Sequence, residues 1–234
     1  MDDDKINLLL FDFDGTLVNT TPLILHTFRA TWERVFGFVY EDSQYIKTFG
    51  MLLPKAMRSL TEQSIAEGRV ARPVDQAAYL AAMEEELTLV YRGFNQQWHD
   101  EMIEPFDGVG EALSELKSRE FGMGVVSSKM RAGLMRGLNF FQMAGLFDVI
   151  VAGDDCENHK PHPEPVLRAV ERAGAAPRET VYIGDSSHDI IAGRAARVRT
   201  AAATWGPFPR NELESLRPDY LLDGPEDLLA IFRR

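Results

Sequence analysis

Short apolar runs rich in β-branched and aromatic residues recur at Leu8 to Phe13, Met123 to Ser127, Val149 to Ala152, Val181 to Ile183 and Thr200 to Ala203. Each is tightly bounded, and together they read as buried parallel strands. Helical patterns separate the later ones: Val109, Ala112, Leu113 and Leu116, then Leu134 and Leu138, then Val166, Leu167 and Val170, then Ile190, Ile191 and Ala195. Strand alternating with helix predicts an α/β fold, a Rossmann-like doubly wound parallel sheet.

The stretch from Pro22 to Pro105 breaks this alternation, because it carries helical periodicity and hardly any strand signal. Leu80, Met83, Leu87 and Tyr91 share one helical face at spacings of three and four. An all-helical cap domain over residues 21–105 is therefore expected, inserted into a core built from residues 1–20 and 106–234. Such an insertion would sit over the carboxyl ends of the strands, where open α/β sheets bind ligands, and act as a lid.

A chain of 234 residues suits one α/β domain with an inserted lobe. The net charge of −11 opposes a general attraction to nucleic acid or to an anionic membrane surface. No run reaches the roughly 18 apolar residues of a membrane span, and the N-terminus lacks a secretion-signal pattern. Cys156 is the only cysteine, so no intrachain disulfide is possible. A cytoplasmic protein is expected. Met1-Asp2-Asp3-Asp4-Lys5 reads equally as a native acidic tail or the remnant of a cleavable tag.

The chemistry-bearing residues gather at strand ends. The first strand closes in Phe11-Asp12-Phe13-Asp14-Gly15-Thr16-Leu17, where period-two alternation puts Asp12 and Asp14 on one side and Gly15 permits a sharp turn. Two carboxylates there are costly unless a cation or proton lies between them. A lone Asp-x-Asp-Gly is more often an Asx-turn cap; the apolar strand before it and the full motif favour chemistry. Asp185 follows Val181-Tyr182-Ile183 and is a natural hard-oxygen ligand for magnesium, whereas Asp189 fits a helix cap or a hold on waters behind the ligands as well as direct ligation. Ser127 offers a hydroxyl, and Lys160 offers a cation in a loop stiffened by prolines. Taken singly, the serine would be a turn residue and the lysine a solvated one. The five histidines lack zinc-site spacing, although His159 and His188 lie near the centre, and no Gly-x-x-x-x-Gly-Lys loop occurs.

In order and placement these residues resemble the haloacid dehalogenase superfamily: Asp12-Phe13-Asp14-Gly15-Thr16 its first motif, Ser127 the second, Lys160 the third, Asp185 with Asp189 the fourth. The insertion resembles the helical cap of the subclass that includes phosphoglycolate phosphatases and β-phosphoglucomutases. Tyr91-Arg92-Gly93-Phe94-Asn95, His99-Asp100-Glu101, Asp154-Asp155-Cys156-Glu157 and the segments around Lys160 and Asp185 resemble the branch of bacterial pyrophosphatases associated with serine-phosphorylated HPr. Phosphoglycolate phosphatases share several of these strings. Asn19-Thr20 departs from the Asp-Ser common in the subclass and removes a carboxylate near the cap hinge.

The resemblance implies a Mg2+-dependent phosphohydrolase working through an aspartyl-phosphate on Asp12, with Asp14 as general acid and base. Magnesium would be held by the Asp12 carboxylate, the Asp14 backbone carbonyl and Asp185, with Asp189 behind them. Thr16, Ser127, Ser128 and Lys160 would bind the phosphoryl oxygens. Asp14 separates this branch from dehalogenases and phosphonatases, which carry other residues there. The substrate would be a small phosphorylated metabolite, pyrophosphate or 2-phosphoglycolate, turned over by a monomer or homodimer. The alternatives are a phosphomutase, or a non-catalytic binder of phosphorylated metabolites.

Overall fold

The structure is a computed structural model that describes residues 5–233, so the acidic start Met1 to Asp4 lies outside it. The elements in chain order are β1 (Leu8–Phe11), β2 (Val18–Asn19), α1 (Thr21–Phe36), α2 (Asp42–Ile46), α3 (Leu53–Ala66), α4 (Gln76–Met102), β3 (Glu104–Pro105), α5 (Val109–Ser118), β4 (Gly122–Val126), α6 (Arg131–Phe140), β5 (Val149–Val151), α7 (Glu164–Arg172), β6 (Thr180–Gly184), α8 (Ser187–Ala195), β7 (Arg199–Ala203), α9 (Arg210–Ser215), β8 (Tyr220–Leu222) and α10 (Glu226–Ile231). Two compact units result: Thr20–Ile103 forms one, and the chain up to Asn19 joins with the chain from Glu104 onward in the other.

The larger unit is built on a six-stranded parallel sheet of order β5-β4-β1-β6-β7-β8. Every β1 side chain is buried, as a central parallel strand covered on both faces requires. Leu10 stands between Gly124 of β4 and Tyr182 of β6. Gly124 is needed there: a Cβ would meet Val149 Cγ1 at 2.4 Å and Leu10 Cδ2 at 2.8 Å. Leu10, Val126, Val151, Val166, Val170 and Tyr182 pack into one buried cluster between the sheet and its helices.

Several sequence expectations shift. The first strand stops at Phe11 instead of Phe13, because the chain turns there and Leu17 N and Val18 N donate back to Phe13 O. Edge strand β8 gave no signal: three residues, two of them half-buried, are too few for a period. The pair β2–β3, joining Val18 to Pro105 and Asn19 to Glu104, was equally illegible, and it holds the exit and return of the inserted segment together. Leu167 and Ile191 are exposed, at 41% and 42%, so the buried helix faces are Val166, Ala169 and Val170, and Ile190, Ala192 and Gly193.

The Thr20–Ile103 unit is all helical, with helices α1 to α4. Its core holds Phe28, Trp32, Tyr45, Met57, Leu60, Leu87 and Tyr91. Phe28 stacks on Tyr45 at 5.1 Å and meets Tyr91 edge-on at 5.0 Å. Leu80, Leu87 and Tyr91 are buried on one face of α4, with Met83 half-buried beside them. Asp75 caps this helix, accepting from Ala78 N at 3.0 Å. Among the described residues no helix is long and apolar enough to cross a membrane.

At the edge of the larger unit, Asp148 accepts from Lys117 Nζ at 2.6 Å and from Met123 N at 3.0 Å, tying α5 to the start of β4. Partial burial raises its carboxyl pKa, but the Lys117 ammonium and the Met123 amide outweigh it, and the net shift is downward. A depressed folded pKa stabilises above the unfolded value and loses that contribution as pH falls through the folded one. Asp148→Asn is therefore expected to lower the melting temperature at pH 7 by about 2 °C, a small effect because the pair is half exposed. The gap from wild type should close below about pH 4; a pH-independent gap in thermal melts would contradict the ion-pair account.

Candidate active site

The site lies at the carboxyl ends of β1 and β6, adjacent in the sheet. Asp12 follows β1, its N–H donating to Ile183 O at 2.8 Å, and Asp185 follows β6 directly. Gly15 then takes φ +80°, and a Cβ on it would lie 2.4 Å from Asp185 Oδ2, so both backbone and space demand glycine. Gly206 approaches from the other side, its hypothetical Cβ 2.4 Å from Asp185 Cβ. Trp205 Nε1 donates to Thr16 O at 2.9 Å and fastens that turn.

One carboxylate oxygen from each of Asp12, Asp185 and Asp189 lies within 4.8 Å of the others, and all three residues are buried. Lys160 Nζ reaches into the cluster, 3.0 Å from Asp12 Oδ1 and 2.6 Å from Asp189 Oδ1, with only 1% of its side chain exposed. Three carboxylates face one ammonium, leaving two negative charges in excess when all are ionised. Burial, followed by the charges of Asp189 and Asp14, pushes the Asp12 carboxyl up to about 7 in spite of Lys160. Burial and the same kind of repulsion raise Asp185 well above its ordinary value. Burial alone would lower Lys160, but the Asp12 and Asp189 charges raise it.

The two oxygen-rich carboxylates differ in what they have left to offer. Asp189 is saturated: Oδ1 accepts from Lys160 and from Tyr182 Oη at 2.8 Å, and Oδ2 accepts from Ser186 N at 3.1 Å and from Ser186 Oγ. With Ser186 it forms the capping box that starts α8. Among the described residues Asp12 Oδ1 receives no well-aligned hydrogen bond, its neighbour being the Lys160 ammonium at 3.0 Å. The excess charge, the all-oxygen donors and this open lone pair fit a hard divalent cation held by Asp12 and Asp185, with Asp189 locked behind them.

Asp14 stands apart. Its carboxylate pairs with Lys129 Nζ at 2.9 Å and is not a member of the cluster, so only its backbone carbonyl is left to serve a cation there. Lys129 also lies over the Phe13 ring at 5.6 Å, and its N–H donates to Ser127 Oγ at 3.1 Å. Ser127 is buried at the end of β4, and Ser128 beside it is half-buried. Thr16, expected to bind phosphate, donates its hydroxyl to Asp185 Oδ1 at 3.0 Å. His188 is half-buried in the first turn of α8, where burial depresses its pKa.

Lys129, Tyr182, Trp205 and Gly206 escaped the sequence reading. Lys129 was the findable one, two residues beyond Ser127 and the same sign as Lys160. Nothing in Thr204-Trp205-Gly206 signals that it returns to Asp185.

Residues 9–203 match the family model of haloacid dehalogenase-like hydrolases. A pyrophosphatase PpaX of Bacillus mycoides (strain KBAB4) is 36% identical over 230 residues, covering 98% of each chain. The solved structure of a Bacteroides fragilis protein described as a haloacid dehalogenase-like hydrolase superposes with TM-score 0.81 at 28% identity, over 96% of this chain and 100% of that one. A Lactobacillus plantarum protein assigned as a phosphoglycolate phosphatase gives TM-score 0.81 at 27% identity, over 97% and 100%. The fold, the strand-end carboxylates and a match across most of the chain agree: this protein belongs to the haloacid dehalogenase-like hydrolases and is a phosphatase of that family.

Proposed function

We propose that the chain is a Mg2+-dependent phosphohydrolase that passes the phosphoryl group of a small metabolite through Asp12. The observation that carries this reading is the cluster of three buried carboxylates around the single ammonium of Lys160, with a separate carboxylate, Asp14, two residues from Asp12 and outside the cluster. Bound magnesium would neutralise the repulsion between a carboxylate and a phosphoryl group.

The remaining steps belong to this chain's own residues. An Asp12 carboxylate oxygen attacks phosphorus, the bond to the leaving oxygen breaks, and protonated Asp14 supplies that oxygen's proton. Water then attacks the aspartyl-phosphate while Asp14 takes its proton, the Asp12–phosphorus bond breaks, and phosphate departs. Lys160 and Ser127 receive phosphoryl oxygens, and Thr16 holds Asp185 in place. Pyrophosphate and 2-phosphoglycolate are the substrates the named relatives support, and a chain with a single cysteine and this chemistry suits the cytoplasm.

The test is phosphate release with and without magnesium on pyrophosphate, 2-phosphoglycolate, sugar phosphates and p-nitrophenyl phosphate. A ten-fold preference, about 1.4 kcal/mol in transition-state binding, ranks them. Folded protein that releases no phosphate from any of them would refute the reading.

Lys129 is placed to hold the Asp14 carboxylate. Lys129→Met is expected to lower kcat by about 10- to 100-fold, with KM changing less and Lys129→Arg recovering most of the loss. A variant that raises KM alone would reassign Lys129 to substrate binding.

A further inference from the structure

The opposite end of the sheet carries charge of the other sign. Arg178 precedes β6, Arg199 opens β7, Asp219 precedes β8, and Arg194 and Arg197 stand at the end of α8. With Arg217 they line a cavity of about 370 Å³. β6 separates it from Asp185 by roughly 15 Å, at about 3.3 Å per strand residue.

Among the described residues little opposes the charges of Arg194, Arg197, Arg199 and Arg217. Asp219 is the one carboxylate among the described residues of the lining, and its Oδ2 already accepts from Thr200 N at 2.7 Å and Thr200 Oγ1 at 3.2 Å. Arg178 lies 3.5 Å from Glu179. Arg194 donates to the neutral carbonyls of Leu216 and Arg217, so its charge is fixed in place but uncancelled. Arg197, Arg199 and Arg217 form no ion pair among the described residues. Guanidinium groups brought together repel, and in a chain of net charge −11 the clustering is a local concentration of cations, not a reflection of composition.

Guanidinium forks match phosphate oxygens in pairs, and several forks around one small cavity suit a ligand bearing several phosphate oxygens at short spacing. The volume admits a short chain of phosphoryl groups and lies in the range of small-molecule sites. We propose that this cavity binds a small polyphosphate-bearing molecule, at a second site separate from the carboxylate cluster. The inference stands on the arginine cavity and does not depend on the reading of the catalytic site.

The test is calorimetric titration of the whole chain with inorganic tripolyphosphate in buffer containing EDTA, for wild type and for Arg197→Gln/Arg199→Gln. Wild type should bind saturably and the variant at least ten-fold more weakly, with sulfate at matched ionic strength a poor competitor. Hydrogen exchange on the complex should show protection at residues 194–200 and 217–219. Equal affinity in the variant, no saturable binding to wild type, or protection confined to residues 12–16 and 127–129 would each overturn the proposal. Arg197 and Arg217 are exposed and Arg199 is half-buried; if the double variant melts early, single Arg197→Gln and Arg217→Gln variants, expected to weaken binding about three-fold or more each, carry the same comparison.

Discussion

Asp12→Asn is expected to reduce phosphate release by at least about 10⁴-fold while leaving the fold intact. Asparagine has nearly the shape of aspartate but is a poor nucleophile, so no covalent phosphoryl carrier forms. Electrostatics in the resting protein runs the other way. Asp12 is one of three buried carboxylates sharing a single ammonium, and its raised pKa records the cost of ionising it there. Removing that charge leaves Lys160 paired with Asp189 and relieves repulsion on Asp185. Metal-free Asp12→Asn should therefore melt at or above the wild-type temperature. Turnover within ten-fold of wild type would eliminate Asp12 as nucleophile, and a large loss of stability would show that the cluster is not under electrostatic strain.

Lys160→Met is the reverse experiment. It keeps most of the side-chain volume and removes the only cation among the described residues in contact with Asp12 and Asp189, both buried. Breaking a buried pair by deleting one partner costs about 3–5 kcal/mol, because the remaining charge is left uncompensated. In EDTA the variant is expected to lose stability of this order in urea unfolding. Millimolar magnesium should restore part of it, since a divalent cation at Asp12 and Asp185 would supply the missing positive charge. A loss that magnesium does not touch would mean that the carboxylates do not hold the cation. Under the proposed mechanism turnover should fall steeply even where the fold is rescued, because Lys160 would also receive phosphoryl oxygens.

Much of this was legible along the chain. The alternation of β-branched runs with helical periods gave the sheet, and the loss of strand signal after Pro22 gave the helical unit, whose edges fall at Thr20 and Ile103 against the expected 21 and 105. Asp12 and Asp185 stand out in the sequence because a carboxylate at the end of a buried strand conflicts with burial, and the structure gathers them with Asp189 of α8 and Lys160 of the loop before α7. Elements too short to show a period, β2, β3 and β8, could not be seen, and Leu167 and Ile191 were put on the wrong helix face because an apolar residue adjacent to a buried one looks like part of the same stripe.

Local order along the chain thus set which segments are strands, which are helices, and that acidic groups stand at the ends of β1 and β6, because periodicity and turn chemistry act between near neighbours. The partners were decided only in three dimensions. Lys160 bridges Asp12 and Asp189, Lys129 takes Asp14 out of the cluster, Thr16 turns its hydroxyl to Asp185, and Gly206 closes on the same carboxylate. Most of these contacts join residues more than a hundred positions apart. They depend on the register that sets Phe11 beside Val125 and Ile183, which is fixed when buried side chains of neighbouring strands and helices find a common packing.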